Sequence, residues 1–243
     1  MIKSFFKDKR ITSVFMIVFI LILTMIVFAI YGGNKIKRVV DTMSPEEVAS
    51  VVEAGNFLAD GLRGMDNSDI ILGKKNAKIK VIVYEDLSSY YSAEFDETLD
   101  LIRREVGDDV AIAFRPYADK MFSNSVSVNL WSQCANEQGK FFEARDLLLD
   151  EVKKDSLSVD YLGDYGQKIG LNQGLIDDCL NKEKYLPRLE KIKSEAERFD
   201  VYGVPTIFVD NEMIVGARSF NDTVNNNGEK LEGMRNIIYR HLN

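Results

Sequence analysis

Between Arg10 and Lys35 no charged residue interrupts the chain, and residues 14–31 are almost wholly Val, Ile, Leu, Met and Phe. At 1.5 Å per residue, about 20 helical residues cross a hydrocarbon core of roughly 30 Å. Residues 11–32 are therefore expected to form one transmembrane helix, with 1–10 as a short tail. A cleaved signal peptide is the competing reading. Such peptides carry an apolar core of about 7–15 residues and a small-residue cleavage site, and Ala29-Ile30-Tyr31-Gly32-Gly33 offers no clean one. Beyond the span, Ser44-Pro45-Glu46-Glu47 reads as a helix start. Serine suits the N-cap, proline the first helical position, and Glu47 completes a capping box. That helix should run to about Gly61, so 33–66 reads as a linker or stalk. Residues 64–76 are rich in turn formers, with 69–72 as a possible edge strand.

The pattern then changes to that of a globular domain. Residues 79–84, Ile-Lys-Val-Ile-Val-Tyr, are a β-branched run expected to be a buried strand. Phe95, Leu99, Leu101, Ile102 and Val106 recur at helical spacing, which predicts a helix over about 90–106. A turn at 107–109 leads to a second strand at 110–114. Strand, helix, strand is a βαβ unit, expected to be parallel and right-handed. From 123 to 200 every periodic segment is helical, with Ser158 and Asn172 as caps. Residues 205–209 and 213–215, joined at Asp210-Asn211, read as a hairpin, and a terminal helix is expected over 229–241. The order predicts an α/β domain over 67–243: a central mixed sheet flanked by helices, with an all-helical insertion at about 120–200.

Charge sharpens this picture. The net charge is −7, yet the first 38 residues carry +6, which leaves −13 on the rest. Phosphate binding needs clustered Lys and Arg, so nucleic acid is not expected as a partner. Four basic residues precede the span and three follow it closely. The positive-inside rule gives a small margin for a cytoplasmic N-terminus, a single-pass anchor in the cell membrane and an extracytoplasmic C-terminal domain.

The candidate chemistry lies at the strand-to-helix turn, Ser89-Tyr90-Tyr91-Ser92, and at Gly203-Val204-Pro205-Thr206, where a proline opens a strand. A helix N-terminus favours an anion and is where a thiol is best activated. Asp86-Leu87 precedes the turn, Cys134-Ala135-Asn136-Glu137-Gln138-Gly139-Lys140-Phe141 lies in the helical block, and Cys179-Leu180 lies near its end. Together and in this order these segments resemble the DsbA-like family of thioredoxin-fold proteins, over about residues 67–242. In that family the turn reads Cys-x-x-Cys: the first cysteine attacks and the second resolves. Ser89 and Ser92 stand at those two positions. The resemblance implies a thioredoxin-like fold and a cis bond before Pro205. It also implies that Val204, Pro205 and Thr206 present backbone groups to an extended substrate peptide by strand addition.

Disulfide exchange needs a thiolate and a second sulfur, so the turn as written cannot perform it. Ser89 then has two readings. One is a helix N-cap. The other is a nucleophile, which needs an adjacent base, and the one histidine, His241, lies in the expected terminal helix. Tyr90 and Tyr91 are either an aromatic surface beside the peptide loop or one packed and one merely solvated ring. Cys134 and Cys179 are 45 positions apart. A metal site would want four ligands at close spacing, so no metal and no cofactor is expected. A structural disulfide fits an oxidising compartment; two reduced core cysteines, or a working redox pair, are the alternatives. The function this favours is a membrane-anchored, extracytoplasmic protein related to thiol-disulfide oxidoreductases, binding an extended peptide or an unfolded or secreted client. The alternative is an active oxidoreductase, either with its turn cysteines deliberately replaced or working through Cys134 and Cys179.

Overall fold

In the computed structural model, residues 62–210, 212–225 and 228–243 are described. The expected tail, the 11–32 span, the helix from Ser44 and the 33–61 part of the linker lie outside the described residues. Among the described residues no helix is long and apolar enough to cross a membrane.

The centre is a five-stranded mixed sheet. Strand β2 (Ile79–Glu85) runs parallel to β3 (Val110–Pro116), with Ile79 opposite Val110 and Phe114 opposite Val83. Helix α1 (Tyr90–Val106) makes the crossover between them. Strand β1 (Ile70–Leu72) adds antiparallel to β3, and β4 (Thr206–Val209) adds antiparallel to β2. Strand β5 (Glu212–Val215) completes the order β1-β3-β2-β4-β5.

Both faces of β2 are buried, which is why its sequence reads as a nearly continuous apolar run. Alternate residues serve the two faces. Val81 and Val83 join the larger core with Phe95, Leu99, Ile102, Trp131, Ile237 and Ile238. Ile82 and Tyr84 join a second cluster with Phe208, Ile192 and Ala196. The helical insertion is α2 (Ser125–Glu137), α3 (Phe141–Lys153), α4 (Leu162–Lys168), α5 (Gln173–Asn181) and α6 (Leu186–Glu197). The Ser158 hydroxyl accepts from the Asp160 N–H, and the Asn172 side chain accepts from the Leu175 N–H and caps α5. A disulfide joins Cys134 on α2 to Cys179 on α5.

Two features lie outside the sequence expectation. The terminal helix α7 is Met234–Leu242 rather than 229–241. Lys230–Leu231 (β7) instead pairs with Thr223–Val224 (β6) in a small ribbon. Gly233 then enters the helix where a Cβ would lie 2.3 Å from the Asn221 carbonyl carbon, so only glycine fits. A buried arginine, for which no sequence pattern sets an expectation, is the other feature. Arg115 on β3 is fully enclosed; its Nε and Nη2 donate to Asp69, and its Nη1 donates to the Tyr84 hydroxyl and to Glu195. It also donates to the carbonyls of Arg63 and Gly64, fixing that segment against the sheet.

Candidate functional site

The site grows out of the end of β2. Asp86 follows the last strand residue and is 3% exposed. Its Oδ1 accepts from the Ser88 N–H at 2.9 Å, the Ser88 hydroxyl at 2.8 Å and Asn129 Nδ2 at 2.7 Å. Its carbonyl accepts from the Ser89 N–H at 2.9 Å. These bonds form the Asx-type turn that starts α1. Ser89 has extended backbone angles and stands at the N-cap, and its carbonyl accepts from the Ala93 N–H. Its hydroxyl makes no capping bond, so the N-cap reading holds for the backbone and not for the side chain. Ser92 lies inside the first turn of α1, is buried, and its hydroxyl accepts from the Asp86 N–H at 3.3 Å.

Tyr90 and Tyr91 are 56% and 60% exposed and meet edge to face, with ring centroids 5.8 Å apart. The Tyr90 hydroxyl donates to Glu94, which pushes the Tyr90 phenol above its ordinary value. On the facing loop the Val204–Pro205 bond is cis. Pro205 is buried and its carbonyl accepts from the Gly216 N–H. Thr206 is buried and its hydroxyl donates to the Gly203 carbonyl at 2.8 Å. Neither the N–H nor the C=O of Val204 has a hydrogen-bond partner among the described residues.

Ser89, Tyr90, Tyr91, Gly203 and Val204 line one cleft of about 430 Å³. Asp86 and Ser88 line it as well, and Tyr117, Asp119, Phe122 and Tyr202 complete it. These last four sit on loops with no periodicity, so no repeating pattern in the sequence marks them. The legible signal was Tyr202, an aromatic two residues before Val204. Burial, followed by the nearby Glu197 charge, raises the Tyr117 phenol, so it stays neutral. The Asp119 carboxyl is held below its ordinary range, first by the Met121 N–H and then by Lys193. His241 pairs with Glu212 and Asp210 at the end of α7 and does not line the cleft. Among the described residues, therefore, no base hydrogen-bonds the Ser89 hydroxyl. Cys134 and Cys179 are 1% and 3% exposed and do not line the cleft. Among the described residues no cluster of three or more His, Cys, Asp or Glu could hold a metal ion. The arrangement offers a wall of rings, a recessed carboxylate and a free backbone edge, and no sulfur.

A family profile described as thioredoxin matches residues 66–226. A relative from Rickettsia typhi, provisionally named a protein-disulfide oxidoreductase, is 23% identical over 152 residues, covering 60% of this chain and 56% of the relative. The chain thus spans little more than half the length of that relative. Among solved structures, Wolbachia pipientis alpha-DsbA1 aligns with a TM-score of 0.57 at 17% identity, over 74% of this chain and 92% of that one. Oxidised Bacillus subtilis BdbD aligns with a TM-score of 0.54 at 19% identity, over 64% and 88%. At these identities the structural likeness shows the fold alone.

Proposed function

The chain belongs to the thioredoxin family, and from that premise we propose that it is a membrane-anchored, extracytoplasmic, DsbA-like domain that binds an extended peptide or unfolded client without dithiol exchange at its turn. One observation carries this reading: the backbone edge of Val204, without a hydrogen-bond partner among the described residues, opens on a cleft lined by Ser89, where the resemblance places the attacking cysteine, with Ser92 buried beside it. A serine hydroxyl does not ionise usefully at neutral pH and forms no disulfide. Strand addition needs only free backbone groups and pockets for alternate side chains, and these do not depend on sulfur. Anchoring rests on the uncharged apolar run at 11–32.

Two assays on the full-length chain test the reading. Labelled extended peptides should bind in a fluorescence anisotropy titration, and insulin reduction should stay at the uncatalysed rate. Alkaline carbonate should leave the chain in the membrane fraction; its release would remove the anchor. The second reading is an active oxidoreductase. The relative's name favours it, either with the turn cysteines replaced in this sequence or with Cys134 and Cys179 as the couple. The near-complete burial of both sulfur-bearing residues counts against the latter.

A further inference from the structure

We infer that the cleft beside Val204 receives a basic side chain, lysine or arginine, carried on an extended peptide, with Asp86 as its counter-charge. The inference rests on the peptide-binding reading and narrows it to a chemical class.

Asp86 carries the argument. Its side chain is almost wholly enclosed, and all three hydrogen bonds it accepts fall on Oδ1. Oδ2 accepts no hydrogen bond among the described residues, no Lys, Arg or His there forms an ion pair with this carboxylate, and Oδ2 is not among the fully buried side-chain atoms without a partner, so it keeps access to solvent. The other enclosed carboxylates are treated differently. Asp69 is gripped by Arg115 and Arg63, and Glu85 by Arg145. Enclosing a carboxylate is costly unless a charge or a full set of hydrogen bonds compensates. Asp86 has its hydrogen bonds on Oδ1 alone and lines the cleft, where Oδ2 is left to solvent or to an incoming donor.

The walls suit a cation. Tyr90, Tyr91, Phe122 and Tyr202 expose their rings there, and an aromatic face attracts a positive charge within about 6 Å of its centroid. The Tyr90 and Tyr202 hydroxyls donate to Glu94 and Asp200, neither of which has an ion-pair partner among the described residues. Among the described residues no lysine or arginine lines the cleft. Lys193 is engaged by Asp119 at 2.9 Å, and Lys153, which lines a neighbouring pocket with Ser88 and Tyr90, is engaged by Glu97 at 3.2 Å. A peptide lying along Val204 would therefore find rings and an unmatched carboxylate, and among the described lining residues no cation to repel it.

The test uses the full-length chain in detergent and fluorescein-labelled ten-residue peptides. One peptide is apolar with a central arginine; its twin has citrulline there, which is nearly the same shape and neutral. The arginine peptide should bind about tenfold tighter, because a charge-assisted bond and cation–π contact are both lost in the twin. That advantage should largely vanish in Asp86→Asn and in Tyr202→Leu, and survive in Tyr202→Phe. Equal affinity for the two peptides in the unaltered chain would overturn the inference while leaving peptide binding intact. So would an undiminished arginine preference in an Asp86→Asn chain that still unfolds cooperatively. Should that variant not fold, Tyr202→Leu decides, since Tyr202 is 73% exposed; an undiminished preference there overturns the inference. Binding of neither peptide would overturn the peptide-binding reading itself.

Discussion

The Arg145 guanidinium holds the Glu85 carboxylate in two parallel hydrogen bonds, Nε to Oε1 and Nη2 to Oε2, each 2.9 Å long. The pair ties α3 to the last residue of β2, immediately before Asp86, and the guanidinium also lies 4.5 Å from the centre of the Phe114 ring. Burial pushes the Glu85 carboxyl above its ordinary value against the pull of Arg145. Removing Arg145 leaves that carboxyl enclosed and alone. Arg145→Met should therefore cost about 3–5 kcal/mol, and Glu85→Leu with Arg145→Met should cost clearly less, because the fully enclosed charge is gone and only the partly exposed Asp96 loses its partner. Urea unfolding of the two variants decides; an equal or larger loss in the double variant would contradict the pairing argument.

Asp69 predicts the acid limb of stability. Burial alone would raise its pKa, but hydrogen bonds and charges from Arg115 and Arg63 outweigh burial and hold it below the ordinary carboxylate range. A carboxyl depressed in the folded state contributes stability that is present above its unfolded pKa, about 3.9, and is lost as pH falls toward the folded value. Unfolding free energy should thus fall as pH drops below about 4.5, and Asp69→Asn should lower stability at pH 7 while flattening that fall. An unchanged acid slope in Asp69→Asn would count against this role.

How much of this was legible in the sequence follows from where each signal resides. The β2 run and the helical spacing of Phe95, Leu99 and Ile102 are local, and α1 spans 90–106 as its periodicity predicts. The β6–β7 ribbon escaped notice because each strand has two residues and no period can show. Arg115 lies just past the strand expected at 110–114 and carries no sequence signal of burial; only the fold brings Asp69, 46 positions away, onto it. The cleft was half visible. Ser89 and Val204 could be placed by resemblance, whereas Phe122 and Asp119 come from a loop whose path no pattern encodes.

The Cys134–Cys179 disulfide closes a loop of 45 positions, worth about 4 kcal/mol in the chain-entropy model. Cys134→Ala with Cys179→Ala should lower the unfolding free energy by about 2–4 kcal/mol and leave peptide affinity unchanged. The bond is distant in role from the cleft, so a loss of peptide binding in a folded double variant would contradict that separation. Denaturant unfolding and anisotropy on the same sample measure both.

Ser89→Cys with Ser92→Cys should install a reducible disulfide at the turn. The helix N-terminus that lowers a thiol pKa is already present, and Ser92 is already buried behind Ser89. The double variant should oxidise a dithiol peptide faster than Ser89→Cys alone, as followed by mass spectrometry of the products. Two cysteines that stay alkylatable under oxidising conditions would show that the turn no longer has the geometry for pairing.

The central claim is that the free backbone edge at Val204 pairs with an extended peptide while the turn does no redox chemistry. Amide hydrogen exchange at Val204, read in the full-length chain with and without saturating peptide, tests it most directly. The account predicts that the Val204 N–H exchanges freely without peptide and becomes protected with it, at least tenfold, as it enters a strand pairing. An unchanged Val204 exchange rate under saturating peptide would contradict it.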